Sequence, residues 1–216
     1  MRAKKLILIG LVAAALPVSA PAFAGGGSGW YAGIGAGVSD FHADAAEIDQ
    51  ALAAQGITAS TAVDDRDTGY KAFVGYQFNP NFALEGGYVD FGKAKANGTF
   101  TAPAPGGTYS GEVKANGWNL DAVGILPVGG NFSLFGKLGF IRSKVDASAS
   151  AASGGALGFA SASSTETNPT FGVGAKYDFT PNVSGRLEWE RFKNLGDVNT
   201  GEGDVDLWSL GVVYSF

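Results

Sequence analysis

An all-β chain closing as an eight-stranded antiparallel up-and-down transmembrane β-barrel is the architecture this sequence predicts, on three observations. Eight stretches alternate apolar with small or polar residues at a two-residue period, as strands do when successive side chains point to opposite faces. The connections between them run long, short, long, short, long, short, long. Finally, Tyr76-Gln77-Phe78-Asn79-Pro80-Asn81 is echoed by Tyr177-Asp178-Phe179-Thr180-Pro181-Asn182, so one hairpin chemistry is used twice at the same end. Short turns at one end and longer loops at the other are the pattern of a membrane barrel.

The N-terminus predicts export. Arg2, Lys4 and Lys5 make a positive start, Leu6 to Val18 an apolar stretch, and Ala22-Phe23-Ala24 a small-x-small cleavage pattern. The stretch is too short for a spanning helix, so residues 1–24 read as a cleaved signal peptide and 25–216 as the barrel domain. There is no cysteine, which excludes disulfides and thiolate metal sites. A net charge of −5 with no basic run argues against nucleic acid as a partner. The 34 glycines follow no collagen triplet and stand beside many aromatics, as in strands that alternate bulk with nothing. No later run is long and apolar enough for a spanning helix, so a membrane role requires a barrel.

The first strand, residues 30–39, sets Trp30, Ala32, Ile34, Ala36 and Val38 against Tyr31, three glycines and Ser39. A first long loop, about 42–67, is acidic and carries Ala45, Ile48, Ala51 and Leu52 at helical spacing, which predicts a short helix. The second strand, 68–78, opposes Tyr70, Ala72, Val74, Tyr76 and Phe78 to Lys71, Phe73 and glycines. Asn79-Pro80-Asn81 turns the chain, proline pre-setting its φ. The third strand, 82–91, puts Phe82, Leu84 and Tyr88 on one face and Glu85 on the other. A second long loop is expected over about 93–115, with Pro103, Pro105 and paired glycines.

The fourth strand, 117–126, opposes Trp118, Leu120, Ala122 and Leu126 to Asn119 and Asp121. The fifth opposes Phe132, Leu134, Leu138 and Phe140 to Ser133, Phe135 and Lys137. A third long loop, about 146–167, is rich in serine, alanine and glycine and reads as mobile. The sixth strand is the cleanest: Phe171, Val173, Ala175, Tyr177 and Phe179 against Thr170, Gly172, Gly174, Lys176 and Asp178. The seventh opposes Val183, Leu187 and Trp189 to Arg186, Glu188 and Glu190. A last loop, about 193–203, leads to the closing strand, where Trp208, Leu210, Val212, Tyr214 and Phe216 share one face.

The faces separate a membrane barrel from a soluble one. Trp, Tyr, Phe and Leu from eight strands would overfill an interior only just wide enough for side chains. The opposite face, with its glycines and scattered charges, fits a narrow lumen. Lys137, Lys176 or Arg186 in hydrocarbon would each cost roughly 2–4 kcal/mol at the midplane. Turned inward beside Glu85, Asp121 and Glu188, they can pair. Trp30, Tyr76, Phe78, Phe82, Phe132, Tyr177 and Phe179 sit beside short turns or the chain start, as an interfacial aromatic girdle would.

The chain resembles the small OmpA-type outer-membrane barrels, a family that includes OmpX-like proteins. The residues that carry the resemblance are Gly29 to Gly37, Phe82 to Tyr88 and the closing strand, whose Leu210, Val212, Tyr214 and Phe216 resemble a C-terminal insertion signal. The resemblance implies a multi-pass protein of the bacterial outer membrane and a structural or surface-interaction role in the envelope. The partners it implies are outer-membrane lipid and lipopolysaccharide, the barrel-assembly machinery during insertion, and a cell-surface partner reached by outward loops. A monomer without a cofactor is expected. The sequence ends at Phe216, so the peptidoglycan-binding domain of OmpA itself is not carried over.

Three function classes follow. In the first, Lys71, Glu85, Asp121, Lys137, Lys176, Arg186 and Glu188 form a lumen charge network that plugs the barrel and holds its register. In the second, the same residues line a small porin-like channel for ions or small solutes. The third is a lipid-modifying enzyme using His42, the single histidine, with Ser39 nearby. No nucleophile–base–orienter set is readable, so no catalytic residue is assigned and an enzyme is not expected. Asp44, Glu47, Asp49, Asp64, Asp65 and Asp67 match no calcium-loop spacing, and a solvated anionic surface is the reading for them.

Overall fold

The computed structural model describes residues 29–43, 45–102, 104–197 and 200–216. The predicted leader, Asp44 and Pro103 lie outside the described residues. In order come β1 (Gly29–Asp40), α1 (Ala45–Ala54), β2 (Thr58–Asp64), β3 (Arg66–Asn79) and β4 (Phe82–Ala102). They are followed by β5 (Gly107–Gly129), β6 (Phe132–Ser153), β7 (Ala156–Asp178), β8 (Val183–Leu195) and β9 (Gly203–Ser215).

Eight strands close an antiparallel ring, β1-β3-β4-β5-β6-β7-β8-β9 and back to β1. Each strand pairs with the next ring strand in sequence, except at the seam between β1 and β9. On its lumen side the β1 lip of that seam is glycine at three successive positions: Gly33, Gly35 and Gly37 face Val213, Gly211 and Ser209. A Cβ on Gly37 would lie 1.7 Å from the Trp208 carbonyl oxygen, so only glycine fits there. The ninth strand, β2, adds to β4 beyond the ring, Val63 facing Ala96.

The two-residue period sorts the faces as the sequence predicts. Ile34, Val74, Leu84, Leu120, Leu138, Val173, Leu187 and Leu210 point outward and are exposed. Between them the chain turns inward with Lys71, Glu85, Asp121, Lys137, Arg186 and Glu188, all buried. At the short-turn end, Trp30, Tyr76, Phe78 and Phe82 make a run of ring contacts with centroids 5.1, 5.1 and 5.8 Å apart. Tyr177 meets Phe179, and Tyr214 meets Phe216, at the same end. A second set that sequence reading did not single out marks the far end of the belt: Tyr88 against Trp118, and Phe171, Trp189 and Trp208 in contact.

Two of the expected loops are corrected. Residues 93–102 and 107–115 are extensions of β4 and β5, and 146–153 and 156–167 are extensions of β6 and β7. Only residues 103–106 and 154–155 connect them. The reason is backbone pairing: every residue from Ala147 to Ser153 has a partner on both β5 and β7, so alanine and serine need no bulk to stay extended. Gly154 and Gly155, at φ 55° and 86°, supply the two-residue hairpin turn that such strands favour. In the first loop the expected helix is α1, and β2 follows it without having been foreseen.

The interior is stacked in three layers. Nearest the short turns lie Tyr31, Phe73, Ala83, Val123, Phe135 and Val213. The charged side chains occupy the middle. Toward the hairpins a second apolar layer, with Val89, Phe91, Ile141, Val145, Phe192, Val205 and Leu207, fills the lumen. Beside the glycines and scattered charges expected of the inward face, the lumen at this end is packed with hydrocarbon.

Candidate functional site

The middle layer is built by four strands that turn charged residues inward. β8 supplies Arg186, Glu188 and Glu190, two apart and therefore on one face; β3 gives Lys71, β4 Glu85 and β6 Lys137. Lys137 Nζ stands 2.6 Å from Glu85 Oε2, 3.0 Å from Glu188 Oε2 and 3.3 Å from Glu190 Oε1. Arg186 reaches Glu85 at 2.6 Å through Nη1 and Glu188 at 2.8 Å through Nε. Lys71 Nζ lies 2.8 Å from Glu188 and also contacts Glu190. Three cations meet three carboxylates, and none of the six residues is more than 6% exposed.

Such a cluster survives burial only because it is neutral as a set and richly paired. Neighbouring rings assist. The Arg186 guanidinium carbon lies 4.3 Å from the Phe135 ring centroid and 4.8 Å from that of Phe73, within cation–π range. The Tyr31 hydroxyl donates to Glu85 Oε1 at 2.8 Å. Inward-facing glycines give these rings room: Phe73 lies over Gly33 and Phe135 over Gly174, each its partner across a ladder.

The predicted network is largely brought together, with two departures. Asp121 is buried beside it but makes no ion pair; the Thr170 hydroxyl donates to it at 2.8 Å and the Asn119 amide also donates. Lys176 stands apart near the short turns, half-buried, 3.0 Å from Asp178. It stands two residues before Asp178 on the same face of β7 and directly opposite Arg186 on β8, yet its amine pairs with Asp178 and not with the cluster, a choice that sequence alternation alone does not reveal. Conversely Glu190 and Tyr31 belong to the cluster and were not singled out. Glu190 was legible as the third inward position after Arg186 and Glu188.

The other candidates disperse. The Ser39 hydroxyl lies between the backbone carbonyls of Asp67 and Phe91, while His42 Nε2 sits 3.6 Å from Asp206, so the structure does not join serine and histidine. Of the acidic first loop, Asp49 accepts from Thr61 and Asp67 accepts from the Lys93 N–H at 3.0 Å.

An outward belt of hydrocarbon, aromatic rows at both its ends and a lumen crossed by paired charges define a small outer-membrane β-barrel. The chain matches the OmpA-like transmembrane domain over residues 27–216, and it belongs to that family. It is 30% identical over 189 residues to outer membrane protein A of Shigella flexneri, covering 87% of this chain and 48% of that one. Outer membrane protein A of Yersinia pseudotuberculosis is 33% identical over 150 residues, 68% of this chain and 40% of the relative. The chain thus spans about half the length of the curated relatives it matches. Neisserial surface protein A shares the fold at TM-score 0.50 and 16% identity, over 88% of this chain and 99% of that one. OprG of Pseudomonas aeruginosa does so at TM-score 0.50 and 15% identity, over 89% and 98%. The protein is a multi-pass β-barrel of the bacterial outer membrane.

Proposed function

We propose that this barrel serves the envelope as a closed structural element whose long hairpins face outward and meet partners at the surface. The single observation that supports it is the sealed lumen. Six ionic side chains, each buried, bridge β3, β4, β6 and β8, with packed apolar layers above and below. A conducting path would have to break several ion pairs at once and leave carboxylates unpaired in a narrow, poorly solvated space.

Outer-membrane lipid and lipopolysaccharide are the partners of the belt and its outer rim. Lys93, Lys114 and Lys144 point outward just beyond the aromatic row at the hairpin end, at the level of lipid head groups. Delivery by the barrel-assembly machinery, with Leu210, Val212, Tyr214 and Phe216 as its signal, belongs to the same reading. Within its membrane the chain is a monomer without catalytic residues. Planar-bilayer recording of the purified barrel tests this: a flat baseline is expected, and steady, well-resolved openings would instead establish the pore.

A further inference from the structure

The extensions of β4, β5, β6 and β7, with β2, form a sheet that projects past the belt, and its two edges are treated differently. At the β2 edge, α1 folds back and Asp49 accepts the Thr61 N–H at 3.4 Å, so the free edge is capped. At the other edge, β7 is paired to β6 all the way to Ala156, whereas its pairing with β8 begins only at Thr170. Among the described residues, the outer edge of β7 from Ala156 to Thr165 therefore has no neighbouring strand. No charge, no proline and no bulge guards Ala156 to Ser163, and cover begins only at Ser164, whose hydroxyl meets that of Thr200 at 2.9 Å. Leu157 and Phe159 on this stretch are 70% and 80% exposed.

We infer that this edge is a docking site for the same edge of a second copy of the chain, paired antiparallel. The existing ladder indicates why a copy fits. β7 already pairs Phe159 with Ser150, Ala160 with Ala149, Ser161 with Ser148 and Ala162 with Ala147. A two-fold centred on Ser161 repeats that chemistry: Phe159 meets Ser163, Ala160 meets Ala162 and Ser161 meets itself. Glu166 then falls opposite Ala156, so no like charges face each other.

Copies in one membrane send β7 inward in the same sense, and strands tilted by roughly 35–45° cannot become antiparallel about the membrane normal. The two barrels must therefore sit in apposed membranes. The contact bridges one surface to another, and it rests on the reading that the hairpins face outward.

Proteoliposomes carrying the full chain test the inference by dynamic light scattering. Wild-type vesicles are expected to cluster to several times their single-vesicle size. Vesicles bearing Ser161→Lys alone, or Ser161→Glu alone, should stay dispersed, and mixing the two should restore clusters, because the opposite charges meet at the centre of the pair. An unchanged heat-modifiable gel shift establishes that both variants keep the barrel. Dispersed wild-type vesicles, variants that cluster alone, or wild-type vesicles that gather protein-free vesicles equally would each overturn it. Outward orientation is judged separately, by cutting a protease site placed at Gly154–Gly155 on intact cells. Failure there removes the surface reading whatever the vesicles do.

Discussion

Tyr31 lies over Gly75, its directly paired residue on β3, so closely that a Cβ on Gly75 would stand 2.3 Å from Tyr31 Cζ. From that seat the tyrosine hydroxyl reaches Glu85. Gly75→Ala should lift the ring, lose the hydrogen bond and cost about 2 kcal/mol through overpacking. Tyr31→Phe keeps the ring and should cost about 1.5–3 kcal/mol, as for a bond to a charged acceptor. Urea unfolding followed by tryptophan fluorescence separates the two.

Lys137 touches three carboxylates, so Lys137→Met leaves Glu85, Glu188 and Glu190 with two cations among them. A loss of about 3–5 kcal/mol is expected from the uncompensated buried charge. Adding Glu190→Gln restores equal numbers and should recover part of it, so the double variant should be more stable than the sum of the singles. Additive losses would mean that the cluster is not acting as one unit.

The apolar layer at the hairpin end depends on Phe91 and Phe192, whose rings meet edge-to-face at 4.7 Å. Phe91→Ala opens a cavity there and should cost about 3–5 kcal/mol. With the charged layer intact, bilayer conductance should stay at baseline. Openings in this variant would assign the seal to hydrocarbon instead of ion pairs.

Acid should loosen the projecting sheet before the barrel. On the β5 extension, hydrogen bonds from Lys114 and then Lys93, at 3.1 and 3.2 Å, hold the Glu112 carboxyl below the usual carboxylate range. Lys144 and Ser163 do the same for Asp146. Both carboxyls bind their protons more weakly when folded, so their contribution is complete above the ordinary value near ~4 and is lost as pH falls through the lowered ones. These pairs are exposed and each effect is small. Protection of the amides over 107–115 and 146–153, taken relative to their intrinsic exchange at each pH, should fall below about pH 4, while the gel shift persists.

The barrel was legible because its strands contrast bulk with glycine, as in Phe171 to Phe179. The hairpins were not, because Ala147 to Ser153 alternates two small residues and offers no contrast to read. Pairing to neighbours, which no local window contains, keeps that stretch extended. The charged layer was half legible. Period two placed Lys71, Glu85, Lys137, Arg186 and Glu188 inside, but it does not say which partner each charge takes: Lys176, across the ladder from Arg186, pairs with Asp178, and Asp121, across from Glu85, is held by Thr170 and Asn119. Phe91, Ile141 and Phe192 escaped notice as lumen residues because a bulky apolar side chain reads as lipid-facing until its neighbours set the parity.

The glycine seam between β1 and β9 has a kinetic meaning. Every other pairing joins strands next or next but one along the chain, whereas Val38 and Trp208 come together only when nearly the whole sequence has been looped back, the costliest closure in the molecule. On the lumen side the β1 lip presents glycine at three successive positions, so few rotamers there have to clear before the ladder zips. A methyl group at Gly37 should therefore do its damage late, stranding the chain as a curled but unsealed ribbon.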